Sequence, residues 1–129
     1  MVKLWRLVLV GAFVIAMVVV AQAGDELISI TPTSNSIPYC SSGEVATYQV
    51  CVYNILDTSA SHDISATITG YGSGDANDLL FRFTNEDGDS SGWIESGESW
   101  NWGTPSGTDE ELTLEVCAKD EAPQNNEYL

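Results

Sequence analysis

Twelve consecutive residues, Asp87-Gly88-Asp89-Ser90-Ser91-Gly92-Trp93-Ile94-Glu95-Ser96-Gly97-Glu98, carry oxygen ligands at positions 1, 3, 5, 9 and 12, glycine at 6 and isoleucine at 8. This is the spacing of an EF-hand-type calcium loop. Calcium is a hard cation that gathers six to eight oxygens. The expected ligands are Asp87, Asp89, Ser91, the Trp93 carbonyl, Glu95 through water and a bidentate Glu98, with Gly92 permitting the sharp turn. The alternative is an acidic turn between two strands. No reaction follows from either reading.

Other chemistry is sparse. His62 is the only histidine and reads as a solvated loop residue entering a strand rather than a general base. No Gly-x-Ser-x-Gly elbow or phosphate loop with lysine occurs, and Gly70-Tyr71-Gly72-Ser73-Gly74 reads as a flexible turn. Scattered cysteines without histidine partners do not suit zinc. The expectation is therefore a protein that is not an enzyme. Trp100 and Trp102, two apart on a strand, share a face, and Trp93 lies in the adjoining loop. Exposed, the three would form a platform on which sugar rings stack. The competing reading puts the tryptophans in the core.

The compartment follows from the first 23 residues. Lys3 and Arg6 precede an apolar run over residues 7–20, and Ala21-Gln22-Ala23 supplies a small-x-small cleavage site before Gly24. This is the anatomy of an export signal. An uncleaved anchor is the alternative, residues 7–23 being at the short end of what spans a bilayer. Either way the remainder is expected at the cell surface or outside the cell. It holds all 19 carboxylates against only Arg82 and Lys119, a side-chain charge of −17. Such a field repels nucleic acid and anionic lipid, and repels itself unless salt or divalent cations screen it. A membrane enters only through an uncleaved N-terminal segment. The expected partners are other surface proteins, further copies of the chain, or polysaccharide.

Period-two alternation supplies the scaffold. Tyr48, Val50 and Val52 share one strand face, and Leu112, Leu114 and Val116 another. Ile64, Ala66 and Ile68, then Leu79, Phe81 and Phe83, then Trp100 and Trp102 mark three more strands, and residues 27–31 a short one closed by Pro32. Polar turns separate them. Six to seven short strands imply an all-β, antiparallel sandwich with a single core of Tyr48, Val50, Val52, Ile64, Ile68, Phe81, Phe83, Leu112, Leu114 and Val116. The chain divides into a signal at 1–23, an N-terminal strand or extension at 24–38, the sandwich at 39–119 and a loosely ordered polar tail at 120–129. Three cysteines in an exported chain suggest one disulfide and one thiol. Cys51 and Cys117 make a reasonable cross-strand pair if their strands are neighbours, and Cys40 can pair with either.

Gly43-Glu44 followed by Tyr48-Gln49-Val50-Cys51-Val52-Tyr53-Asn54 resembles the G-x-x-x-x-Y-x-V-x-V-x-N opening of immunoglobulin-like, cell-adhesion-related domains of exported bacterial and archaeal proteins. Leu114-Glu115-Val116-Cys117-Ala118-Lys119-Asp120, with Asn125-Asn126-Glu127 beyond, is similar to their late strand and asparagine-rich exit, and Gly97-Glu98-Ser99 to their G-E-[ST] turn. The similarity covers residues 43–127 and implies an immunoglobulin-like sandwich that presents surfaces. Those domains continue into a final strand after the asparagine-rich exit, whereas this chain stops at Leu129. A sandwich lacking that strand has an apolar groove and an open edge, which residues 24–36 of a neighbour would fill in an extracellular filament.

Overall fold

The computed structural model describes residues 27–129 together with the backbone of 6–9 and 15–16. It is all-β. The strands are β1 (Arg6–Leu9), β2 (Ile15–Ala16), β3 (Leu27–Thr31), β4 (Asn35–Pro38), β5 (Ala46–Tyr53), β6 (His62–Ala66), β7 (Leu79–Thr84), β8 (Ser99–Gly103), β9 (Glu110–Ala118) and β10 (Glu127–Tyr128), with one 3-10 turn at Cys40–Ser42.

Four strands form an antiparallel sheet in the order β3-β5-β9-β7. Its register pairs Val50 with Leu112, Tyr48 with Leu114 and Phe83 with Leu114. Apolar residues on three neighbouring strands thereby reach the same face, because side chains alternate sides along each strand. Opposite lie two three-stranded groups, β10-β1-β4 and β2-β6-β8. The groups are joined where Leu129 exchanges backbone hydrogen bonds with Gly70 (Leu129 N to Gly70 O 2.7 Å, Gly70 N to Leu129 O 3.2 Å). A single buried cluster takes side chains from both layers: Tyr48, Val50, Phe81 and Leu114 from one, Ile37, Ile64, Trp102 and Tyr128 from the other. All ten residues expected in the core lie in it. The arrangement is compatible with a β-sandwich.

Three expectations change. The tail is not loose, because Tyr128 on β10 is buried in the core and Asn126 beside it is buried too. The N-terminal segment expected at 24–38, with one short strand at 27–31, contains a second, β4, which delivers Ile37 to the core. His62 is not a solvated loop residue. It begins β6, is fully buried and stacks on Trp102 with ring centroids 5.5 Å apart. Its Nε2 lies 2.7 Å from the Asp57 carbonyl oxygen, which only accepts, so that nitrogen carries the proton. The expected cleavage site, Ala21-Gln22-Ala23, and most of the expected signal fall outside the described residues.

The disulfide is Cys40–Cys117, linking the 3-10 turn before β5 to the end of β9. Cys51 and Cys117 do sit on neighbouring strands, but the register places Cys51 opposite Glu111, far along β9 from Cys117. Cys51 keeps a free thiol, whose Sγ lies 3.6 Å from a Glu111 carboxylate oxygen.

Candidate functional site

The acidic segment after β7 folds as a hairpin. Asn85 holds its tip, accepting from the backbone N–H groups of Asp87 (3.0 Å) and Asp89 (2.9 Å) through Oδ1. The chain then returns along β7, bridging Thr84 to Ser90 and Phe81 to Ile94. Ser91 is engaged in this return: its Oγ accepts from the Phe83 N–H at 2.9 Å and donates to the Gly92 carbonyl at 2.7 Å, which leaves one lone pair. Gly92 has φ +68, a left-handed conformation that favours glycine.

The two bridges lay the middle of the segment along β7, with turns before Ser90 and after Ile94. Asp87 and Asp89 project at the exposed tip. Glu95 is ion-paired with Lys119, and Glu98 accepts from the Glu95 N–H at 2.6 Å. Trp93 lies on the outside, and the Arg82 guanidinium covers its ring at 4.4 Å from the centroid. The structure therefore does not bring Asp87, Asp89, Ser91, Trp93, Glu95 and Glu98 together. Among the described residues no group of three or more His, Cys, Asp and Glu side chains is disposed to hold a metal.

Nor do the three tryptophans form one surface. Trp102 is in the core, and Trp100 packs against it with its ring stacked on Phe83 at 6.4 Å. Of these three, Trp93 alone is exposed, at 38%. Arg82, which covers it, is fixed from the other side by Glu115 at 2.7 Å. The outer face of the four-stranded sheet thus carries a row Trp93–Arg82–Glu115 beside Leu80 and the Cys40–Cys117 bridge.

A buried polar cluster lies where sequence reasoning expected none. Asp78 ends the turn that precedes β7 and is buried. Its Oδ2 accepts from the Tyr128 hydroxyl and from the Asp75 N–H, both at 2.7 Å, and its carbonyl accepts from the Lys119 N–H at 2.8 Å. Alongside, Asn126 donates to the Tyr71 carbonyl at 2.7 Å and accepts from the Ser73 N–H and hydroxyl, each at 3.1 Å. Burial first, then the Asp78 carboxylate that accepts its proton, push the Tyr128 hydroxyl well above the ordinary tyrosine range. Residues 70–78 are thereby clamped to residues 126–128, which fixes β10. Tyr39 adds a second tie, donating to the Ala122 carbonyl at 2.6 Å. The available signal was the pairing of a turn Asp with an aromatic residue in a polar tail, which no periodicity reveals.

Gly74 shows how closely this cluster is built. A Cβ there would lie 2.5 Å from Asp78 Oδ2, 2.6 Å from Tyr128 Oη and 2.8 Å from Asn126 Nδ2. Gly74→Ala is expected to cost about 2 kcal/mol, the usual scale of overpacking. A lowered urea midpoint checks this, and an unchanged midpoint refutes the close fit.

Comparison with protein families, with curated proteins and with solved structures finds no match for this chain.

Proposed function

We propose that this chain is an exported, non-enzymatic structural or adhesive module of a cell surface, built on an immunoglobulin-like sandwich. The reading rests on how three of the described buried polar side chains are employed. Asp78 and Asn126 hold turns to β10, and Glu110 holds the turn before β9 by accepting from the Ser106 hydroxyl at 2.7 Å and N–H at 3.2 Å. These groups strengthen a framework instead of converging on a shared opening where a substrate would sit. The acidic surface supports the same reading: Arg82 and Lys119 are each committed to a glutamate, so the exposed carboxylates, Asp87 and Asp89 among them, face solvent ions and disfavour nucleic acid as a partner. Partners of this module are other surface proteins, copies of itself or polysaccharide. A tag placed after Leu129 tests it. Labelling of the tag on intact cells is the expected result, and a tag found only inside cells rejects the reading.

Calcium belongs to this proposal through the composition of residues 87–98. To use all six ligands the loop must bring its exposed tip, Asp87 and Asp89, to Glu95 and Glu98; Glu95 meets Lys119 through Oε2 alone. A melting temperature raised by calcium and returned to baseline by Asp87→Ala or Glu98→Ala establishes the site. Melting curves that coincide with and without chelator remove calcium from the proposal. A second reading, assembly of copies into a filament, is favoured by the position of β1.

A further inference from the structure

β4 and β10 belong to the same sheet but do not pair with each other. Between them runs β1, antiparallel to β4 over four register pairs (Arg6 with Pro38 through Leu9 with Asn35) and parallel to β10 over two (Val8 with Glu127, Leu9 with Tyr128). Farther along, β2 lies antiparallel on β6, pairing Ile15 with Ala66 and Ala16 with Ser65. β1 thus occupies the strand position between β4 and β10, and β2 a position on the edge of β6. Neighbouring strands lie about 4.8 Å apart, so β4 and β10 are separated by about 10 Å, too far to pair directly. With residues 1–23 removed, β4 keeps no ladder partner among the described strands. Two strand edges then face a gap one strand wide, above Ile37 and Tyr128 of the core. Unpaired backbone N–H and C=O groups at such a gap are costly and recruit a strand.

We infer that this gap is a strand-acceptor slot, filled in the mature protein by residues 24–31 of a second copy. The inference rests on the surface-module reading and names its partner. Residues 24–31 follow the cleavage site directly and form the new free end. Within them β3 alternates as the slot requires: Ile28 and Ile30 are half-buried against the core, while Leu27, Ser29 and Thr31 face solvent. Leu27 is 58% exposed. Its five residues are enough to cover the four-pair ladder that β4 offers. At home β3 is an edge strand held by one ladder, five pairs with β5. In the slot it is held on both sides. Exchange of an identical element between copies costs little, and a donor that passes from each copy to the next gives an open, head-to-tail chain. Copies this acidic repel one another, so assembly is strongest in about 1 M salt, where charges are screened beyond about 3 Å.

The register supplies a lock for the test. Ser29 lies directly opposite Cys51, the free thiol. Opposed residues on antiparallel strands have Cα atoms about 4.5–5.5 Å apart, within disulfide range. Ser29→Cys bonded to Cys51 therefore fastens β3 at home. The protein to use is that recovered after export, with its N-terminus assigned by intact mass. The expected results are oligomers of the wild type by light scattering, monomers of oxidised Ser29→Cys, and recovered assembly when the lock is reduced. The locked monomer keeps an open slot. A synthetic peptide of residues 24–31 is expected to raise its melting temperature by about 5 °C and to protect β4 and β10 amides from exchange. The inference is overturned by a wild type that stays monomeric, by exported protein that retains residues 1–23, by locked protein that assembles like wild type, or by a peptide that changes neither readout. A monomer that still labels on intact cells separates failure of this inference from failure of the surface-module reading.

Discussion

Removing the Cys40–Cys117 bridge as Cys40→Ser with Cys117→Ala is expected to lower the unfolding free energy by about 4.5 kcal/mol. The bridge spans a sequence separation of 77. Closing a loop of that length withdraws about 15 cal/mol/K from the unfolded chain on the chain-entropy account. The loss is a large fraction of the 5–15 kcal/mol by which domains of this size are typically stable. The native side of the balance points the same way. The bridge anchors the turn that leads into β5 against the last residues of β9, beside a parallel bridge between Tyr39 and Ala118. Losing it frees the start of β5 and the carrier of Tyr39, whose hydroxyl ties down Ala122. Denaturant titration under non-reducing conditions measures the effect. A midpoint within error of wild type would mean that the two layers hold without the cross-link. Removing both cysteines matters, because a lone Cys40 or Cys117 is free to pair with Cys51 and restore a wrong loop.

The sequence reveals elements whose side chains repeat with period two on a half-buried face. Tyr48-Val50-Val52 and Leu112-Leu114-Val116 are strands for that reason, and the register brings them side by side. Trp100 and Trp102 fall on one strand as expected, yet the face they share turns toward the core. Alternation states that two residues agree in direction and leaves open which direction. The elements that stay hidden are those too short to alternate. β4 has one deeply inserted aliphatic residue, Ile37, and β10 is two residues long. Each is a strand because of what lies across from it. The disulfide is obscure for the same reason, since pairing depends on how far β5 and β9 are offset, a property of both strands together. In residues 87–98 the ligand spacing was legible, but the two bridges that hold Ser90 and Ile94 to β7 were not.

Asp78→Ala is the second large effect, expected to cost about 3 kcal/mol. The buried carboxylate takes the Tyr128 hydroxyl and the Asp75 N–H on one oxygen. Alanine leaves both donors without that acceptor, each at roughly 1–3 kcal/mol when burial is retained. Relaxation of residues 70–78 recovers part of the total. Tyr128→Phe removes only one side of one bond and is expected to cost about 1 kcal/mol. A cycle with the double variant isolates the coupling between them. The same pair fixes a pH window. The Tyr128 hydroxyl is raised from 10.0 in the native protein. Its share of stability is complete below the unfolded value and declines as pH climbs past it toward the native one, because the unfolded chain releases the proton first. Tyr128→Phe is therefore expected to flatten the loss of stability above pH 10.0 by up to one proton's worth of slope. Amide exchange locates the damage. Since Asp78 fixes β10 through Tyr128, and β10 forms one wall of the strand-acceptor slot, Asp78→Ala is expected to release protection at residues 127–129 before the β5–β9 ladder. Uniform loss across both layers would instead mean that β10 is no weaker than the rest of the framework, and that the slot has no separately anchored wall.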